Sequence, residues 1–525
     1  MKRTVYIASL YLTLLLLFGA CSKDKGNYVY TSLDKVTIDV TGLATSYSLL
    51  RFDTLRIKPV VKYRGETINP DAPQFKELSF TWEMYPTQIS RTIQEKYTIG
   101  NTIPLKVALD EKEAVWEVLL TVTNTNTGVK EFAKFTVAIT PSLAEGWMVM
   151  YEKDGGTDVG MIVNNEISKT NTSERVLYDL YSASNNVPLE GTPGSIISSY
   201  ASGPATLKIY AQTSADVVSI NPTTFQKIDD FSTIFWSKPL VKAPQMIKAT
   251  EKRKEFVINN NKLHIIDYLI LGNGRRAFEN PLSGNYGTLA PWVASTTTAF
   301  DAVVYDQTNK KFMKVIAGGT EIIPIATTQT PAAIGFDVNN VGMEFEMADL
   351  GYSTIANSGW ENMIMKDAAG KRFLTIADFK TGEISTIGKE KYDMSNCPEI
   401  GAINSITASM SSRVFYYSSP SHVYQFDYTA GLTPVRWNAP GNEKITNIAL
   451  QKHYNTNAAL GVVLYNPKNF CKILYVATYN ETTKIGSVYQ MEINLTSGVI
   501  TPGTEKKYTG FGKIKAMAWK PYFIL

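Results

Sequence analysis

The sequence predicts an all-β protein built from two unequal parts, and three observations predict it. Short runs in which apolar and polar residues alternate with period two recur along the chain, separated by polar turns. Beyond residue 141 these runs fall into a repeat of about fifty residues. Hardly any stretch sustains the 3.6-residue period of an amphipathic helix.

Composition agrees with a folded, exported chain. Of 525 residues, 44% are hydrophobic, 11% aromatic and only 19% charged, which argues against disorder and against a coiled coil. The formal net charge of +4 falls to +2 once Lys2 and Arg3 are removed, leaving no electrostatic footprint for nucleic acid. Three His and three Cys leave little material for a zinc site or a His-based catalytic centre. No cofactor is implied.

The first twenty residues read as an address. Lys2 and Arg3 precede an apolar run from Val5 to Phe18. As a helix that run reaches about 21 Å, short of the ~30 Å hydrocarbon core, so it is a signal-peptide segment and not a membrane span. It ends in Leu17-Phe18-Gly19-Ala20-Cys21, which resembles a bacterial lipobox, with Phe18 where Leu is usual. Residues 1–20 are therefore expected to be cleaved and Cys21 acylated, each buried CH2 adding ~0.8 kcal/mol of membrane affinity. Residues 21–29 form a polar linker, and Ser22 to Tyr28 partly resembles the surface-export signal of Bacteroidetes lipoproteins. The expected location is the outer membrane, lipid-anchored and facing the exterior, with a water-soluble body. Cys397 and Cys471 are expected as inert thiols, although the export route permits a disulfide.

Residues 30–141 read as one short domain. Val36–Val40, Thr54–Val61, Leu78–Met84, Trp116–Val122 and Glu131–Ile139 alternate as strands, and Asn124-Thr125-Asn126-Thr127-Gly128 reads as the turn of the last hairpin. This pattern fits an immunoglobulin-like sandwich with Trp82 as its buried aromatic. Asp24-Lys25-Gly26-Asn27-Tyr28, Phe80-Thr81-Trp82, and Leu120 to Asn124 with Gly128 together resemble the PKD-like lipoproteins of Bacteroidetes, over about residues 21–141. The acidic Trp-Asp-Phe-Gly-Asp-Gly signature of ordinary PKD domains is absent. The resemblance implies an accessory of a starch-utilisation-type outer-membrane uptake system and identifies no chemistry.

Residues 142–525 carry the repeat. One strand of each unit can be marked at Val159, Val217, Phe256, Phe312, Phe373, Val414 and Ile473, at intervals of 58, 39, 56, 61, 41 and 59 residues. Seven units of this length without helices predict a seven-bladed β-propeller. Ile514 to Leu525 is a half-unit, expected to close the ring by completing the blade opened at Gly146 to Tyr151, which removes two exposed sheet edges. No WD dipeptide recurs and no sialidase-type Asp box is present.

Chemistry is sparse. His264, His422 and His453 stand alone, no G-x-S-x-G elbow exists, and Gly272 to Arg276 lacks the context of a dinucleotide loop. Asp154-Gly155-Gly156-Thr157-Asp158 reads as a hairpin turn and not as a calcium loop. No catalytic or metal-binding residue is assigned, while paired carboxylates for glycan cleavage stay open. Trp236, Trp292, Trp360 and Trp437 each precede a blade unit beside Pro, Gly or Ser. On loops of one face they would stack on a ligand; the competing role is to seal the joints between blades. Gly272 to Ser295, with Arg275, Arg276 and Tyr286, would wall the same face. The expected function is binding of an extracellular nutrient, a glycan, for delivery to a transporter complex. The alternatives are an interaction scaffold of that complex and, less favoured, a propeller hydrolase or lyase.

Overall fold

The structure is a computed structural model and describes residues 35–50, 53–87, 96–109, 111, 114–140, 143, 145–168, 174–199, 207–250, 254–268, 276–294, 300–326, 331, 333–354, 359–380, 382–384, 386–428, 432–452 and 468–521. Cys21, Arg275 and His453 lie outside these residues. The chain divides into two compact units, 1–139 and 140–525.

In the first unit a five-stranded sheet has the order Ser46–Leu50, Lys130–Thr140, Ala114–Asn124, Leu78–Pro86, Tyr97–Gly100. Two smaller sheets supply the opposing layer, and one apolar cluster joins them, with Leu55, Val61 and Tyr63 packed together with Trp82 and Phe135. Trp82 is fully buried, and its indole N–H donates to the Thr102 carbonyl at 2.9 Å. The expected strand 54–61 is in fact two. Thr54–Ile57 pairs with Leu105–Ala108, whereas Val60–Tyr63 pairs with Val36–Asp39. Pro59 has no N–H to give a ladder, so the chain changes sheets there. In the turn after Asn124, the Asn124 side chain accepts from the amides of Asn126 and Thr127, and Gly128 takes φ +73°.

The second unit is a ring of seven sheets. Blade 1 holds Gly146–Lys153, Gly156–Val163 and Arg175–Leu177, with Ile514–Lys520 as its innermost strand. Blades 2 to 7 begin with the inner strands Pro193–Ser199, Pro244–Thr250, Leu289–Val293, Glu344–Gly351, Ser405–Ala408 and Glu443–Leu450. Each inner strand packs beside the next, and Ile514–Lys520 packs against both Pro193–Ser199 and Glu443–Leu450, so the ring is closed. Closure runs through the antiparallel register Trp147↔Trp519, Met148↔Ala518 and Val149↔Met517.

The marks read from sequence fall one to a sheet. Val159, Val217, Phe312 and Phe373 lie on third strands, whereas Phe256 and Ile473 lie on second strands and Val414 directly precedes one. The two short intervals, 39 and 41, are the two places where the mark steps from a third strand to a second. Both remaining cysteines are buried free thiols in different surroundings. Cys397 packs among the apolar residues between blades 5 and 6, where burial pushes its thiol up to about 11, and the Cys471 sulfur accepts from the Met410 amide.

Candidate ligand site on the propeller axis

An inner strand pairs on one side only, so its other edge turns N–H and C=O groups toward the axis, where they need water or a ligand. The inner strands here carry small and polar residues, among them Gly194, Ser195 and Ser198 of blade 2 and Ser405 and Thr407 of blade 6. Even with Met347 and Met517 on the lining, a cavity of about 570 Å³ remains, lined by six of the seven inner strands. That volume is in the range of small-ligand sites.

One wall is a buried polar network. Lys452 Nζ donates to Asp349 Oδ2 at 2.6 Å and to the carbonyls of Leu350 and Ala408 at 2.5 and 2.6 Å. Asp349 Oδ2 also accepts from Thr407 Oγ1 at 3.0 Å and from the Ala408 amide at 2.8 Å. Thr407 Oγ1 in turn accepts from the Leu450 amide at 3.0 Å, and Ser405 Oγ from the Ile448 amide at 3.1 Å. These bonds tie the inner strands of blades 5, 6 and 7 together. The other carboxylate on the lining, Glu346, is held by Arg372 Nε and Nη2 at 2.7 and 3.0 Å. Both carboxylates of the cavity are thus committed to cations of the protein.

The opposite wall differs. Ser198 Oγ and Trp147 Nε1 are buried and have no hydrogen-bond partner among the described residues, and both residues line the cavity. Both atoms are covered by protein and do not open into the cavity, and the indoles of Trp292 and Trp360 are unpaired in the same way. Lys248, on the same lining, lies 3.8 Å from the buried Glu361.

A second cavity of about 510 Å³ adjoins the first and shares Asn404, Asn447 and Lys515 with it. Lys444, Lys513, Lys515, Thr446, Tyr479 and Glu481 complete most of its wall. Lys513 Nζ lies 3.0 Å from Glu481 Oε1 and 5.4 Å from the centroid of the Tyr479 ring.

Most of the residues singled out from sequence sit elsewhere. Trp292, Trp360 and Trp437 are only 6, 8 and 9% exposed, so their expected placement on an open loop face is corrected. Trp292 lies between blades 4 and 5, 5.3 Å from Phe345 and 5.8 Å from Phe379. Trp360 opens the strand Trp360–Lys366 and joins the apolar cluster between blades 5 and 6. Trp437, on the outer strand of blade 6, packs 4.8 Å from Tyr489 of blade 7 and donates to Glu505 at 2.7 Å. All three fill joints. Only Trp236 is open, at 53%.

The expected wall 272–295 contains two strands, Ser283–Gly284 and Leu289–Val293, and is no simple loop. Its Tyr286 hydroxyl donates to the Leu282 carbonyl at 2.9 Å, and Arg276 lies 4.7 Å over the Tyr268 ring. None of Trp236, Arg276 or Tyr286 lines the axial cavity. Asp154 is exposed, while the buried Asp158 accepts from the amides of Val159, Tyr181 and Ser182. His264 contacts the Glu279 carbonyl at 2.9 Å and burial pushes its pKa down; His422 contacts Glu399 at 2.9 Å. The cavity residues went unmarked because their signal is weak: polar or small residues inside an otherwise apolar inner strand, as in Gly194-Ser195-Ile196-Ile197-Ser198-Ser199.

No helix among the described residues is long and apolar enough to cross a membrane. Among curated proteins, none matches the sequence. Three similar solved structures illustrate the level of likeness. A quinonprotein alcohol dehydrogenase-like protein from Bacteroides thetaiotaomicron is 14% identical, with 90% of this chain and 95% of that one covered and a TM-score of 0.32. The extracellular domain of a one-component system from the same organism is 9% identical, covering 91% and 70%, with a TM-score of 0.37. The rhamnogalacturonan lyase YesW is 8% identical, covering 90% and 96%, with a TM-score of 0.28. Likenesses this weak carry no argument about activity. The family match is more definite, and it runs past the sandwich, through blade 1, to the first residue of the inner strand of blade 2. Residues 21–193 match the model of the PKD-like family.

Proposed function

We propose that this protein is a lipid-anchored extracellular binding protein whose propeller takes up a hydroxyl-rich nutrient, a glycan, on its axis, as an accessory to an outer-membrane uptake system. The observation that carries the reading is the axial cavity itself, walled by the unpaired edges of six inner strands and by the polar residues Ser195, Asn404 and Asn447. Sugar hydroxyls accept as well as donate, and they also suit the unpaired backbone edges of the inner strands. Retention is favoured over cleavage because Asp349 and Glu346 already serve Lys452 and Arg372. Glycosidic hydrolysis needs two carboxyl groups facing the bond.

A scaffold role has one feature in its favour: in the loop after blade 2, Trp236, Leu240 and Val241 are exposed, Leu240 completely. Calorimetric titration of the purified mature chain with a set of oligosaccharides separates the readings. A binder gives saturable heat with no product released, and Ser195→Ala, at a partly exposed residue of the lining, weakens it. A chain that binds none of them, yet captures a transporter component through the 236–241 loop, is a scaffold.

A further inference from the structure

The cavity that adjoins the axial one has a pronounced charge bias. Three ammonium groups, from Lys444, Lys513 and Lys515, stand on its wall against one carboxylate, Glu481. Glu481 is already engaged by Lys513 at 3.0 Å and by Lys484 at 3.2 Å. Lys444 and Lys515 are exposed, and their ammonium groups make no ion pair or hydrogen bond among the described residues. Lys515 also lines the axial cavity, so the unpaired charge stands where the two spaces meet. Asn404 and Asn447, likewise shared, place side-chain amides at the same junction.

We infer that the glycan this propeller takes is acidic: a carboxylate-bearing, uronate-type polysaccharide whose neutral hydroxyls enter the axial cavity while its carboxylates meet Lys444 and Lys515 at the mouth. The inference rests on the axial-binding reading above and adds the charge class. A neutral sugar would leave two ammonium groups facing it without partners. Carboxylates on the chain would give each ammonium group a counter-charge, and the amides of Asn404 and Asn447 add donors.

The test compares polygalacturonate with its fully methyl-esterified form, which has the same backbone without the charge, and with dextran sulfate. Binding to the mature protein is measured by calorimetry at low and high sodium chloride. Two exposed charge pairs predict about tenfold tighter binding of polygalacturonate than of the ester, a preference that shrinks as salt rises. The Lys444→Gln/Lys515→Gln protein should lose that preference with an unchanged melting temperature, and the corresponding Arg variants should keep it. Equal binding of acid and ester, or a preference that survives the Gln substitutions, overturns the inference. Stronger binding of dextran sulfate than of polygalacturonate overturns the carboxylate assignment. In each of these cases, ester binding that still depends on Ser195 leaves the axial reading standing; no binding of any probe removes both.

Discussion

Trp147 and Tyr475 stack face to face, their ring centroids 3.9 Å apart and their planes 12° from parallel. Trp147 belongs to blade 1 and Tyr475 to the second strand of blade 7, so this pair spans the seam of the ring. Ile473, Tyr508, Ile514 and Trp519 pack in the same cluster. The seam is as fully buried as the interior of any blade.

Ending the chain after Lys513 removes the strand Ile514–Lys520 and leaves Gly146–Lys153 with a bare edge. The expected outcome is aggregation, or loss of a single cooperative melt, because an uncovered apolar edge recruits other strands. A truncated chain that stays monomeric and melts as before would show that the seam is dispensable.

The four tryptophans separate by stability. Ala in place of Trp292, Trp360 or Trp437 should cost ~3–5 kcal/mol, the large-to-small core value. Trp236→Ala should cost less than about 1 kcal/mol, since half its surface is already in water. Urea midpoints of the four variants measure this, and equal losses at all four would contradict the burial described.

Lys520 gives the fold a pH dependence. Burial holds its amine at about 7, against an ordinary 10.5, although Glu145 pulls the other way. The folded state thus prefers the neutral amine. Stability from this group is full above pH 10.5, falls as pH drops toward about 7, and is level below. Compared with Lys520→Met, the natural protein should gain stability between pH 7 and pH 9. Parallel stability curves for the two proteins would refute the assignment.

The axial network is expected to punish half-removal. Lys452→Met leaves the Asp349 carboxylate buried without its cation and should cost ~3–5 kcal/mol, whereas Lys452→Met combined with Asp349→Asn should recover a good part of that loss. Denaturant melts of the two singles and the double form the cycle. An additive double would mean that the pair is not coupled.

Cys21→Ala should abolish acylation, so the variant either leaves the membrane fraction or keeps its apolar leader. Mass spectrometry of the mature N-terminus, with fractionation, reads both. A variant processed and retained in the membrane as before would remove the anchor from the proposal.

How much of this was legible follows from what a pattern encodes. Alternation reports which residues face a core, so the seven sheets and the half-unit after Ile514 could be read directly. Burial and edge position are not encoded in the same way. Pro291 made Trp292 look like a loop residue, yet Leu289–Val293 is an inner strand, where a missing N–H costs no ladder bond. Trp360 follows Gly359 for a packing reason, because a Cβ there would come within 2.8 Å of the Leu350 side chain. The cavity was hidden because its residues converge from seven strands scattered between Trp147 and Trp519. Lys444 and Lys515, which share a mouth, are far apart in sequence and have no local signature.

The pairing of Met148 with Ala518 also governs when the propeller can exist. Residue 148 must wait for residue 518, and joining ends so distant costs about 5 kcal/mol of chain entropy before any seam contact repays it. A chain threaded through a membrane from its N-terminus therefore crosses with its ring open. Connectivity alone postpones the closed ring until the strand Ile514–Lys520 is available, and until then Gly146–Lys153 keeps a bare edge.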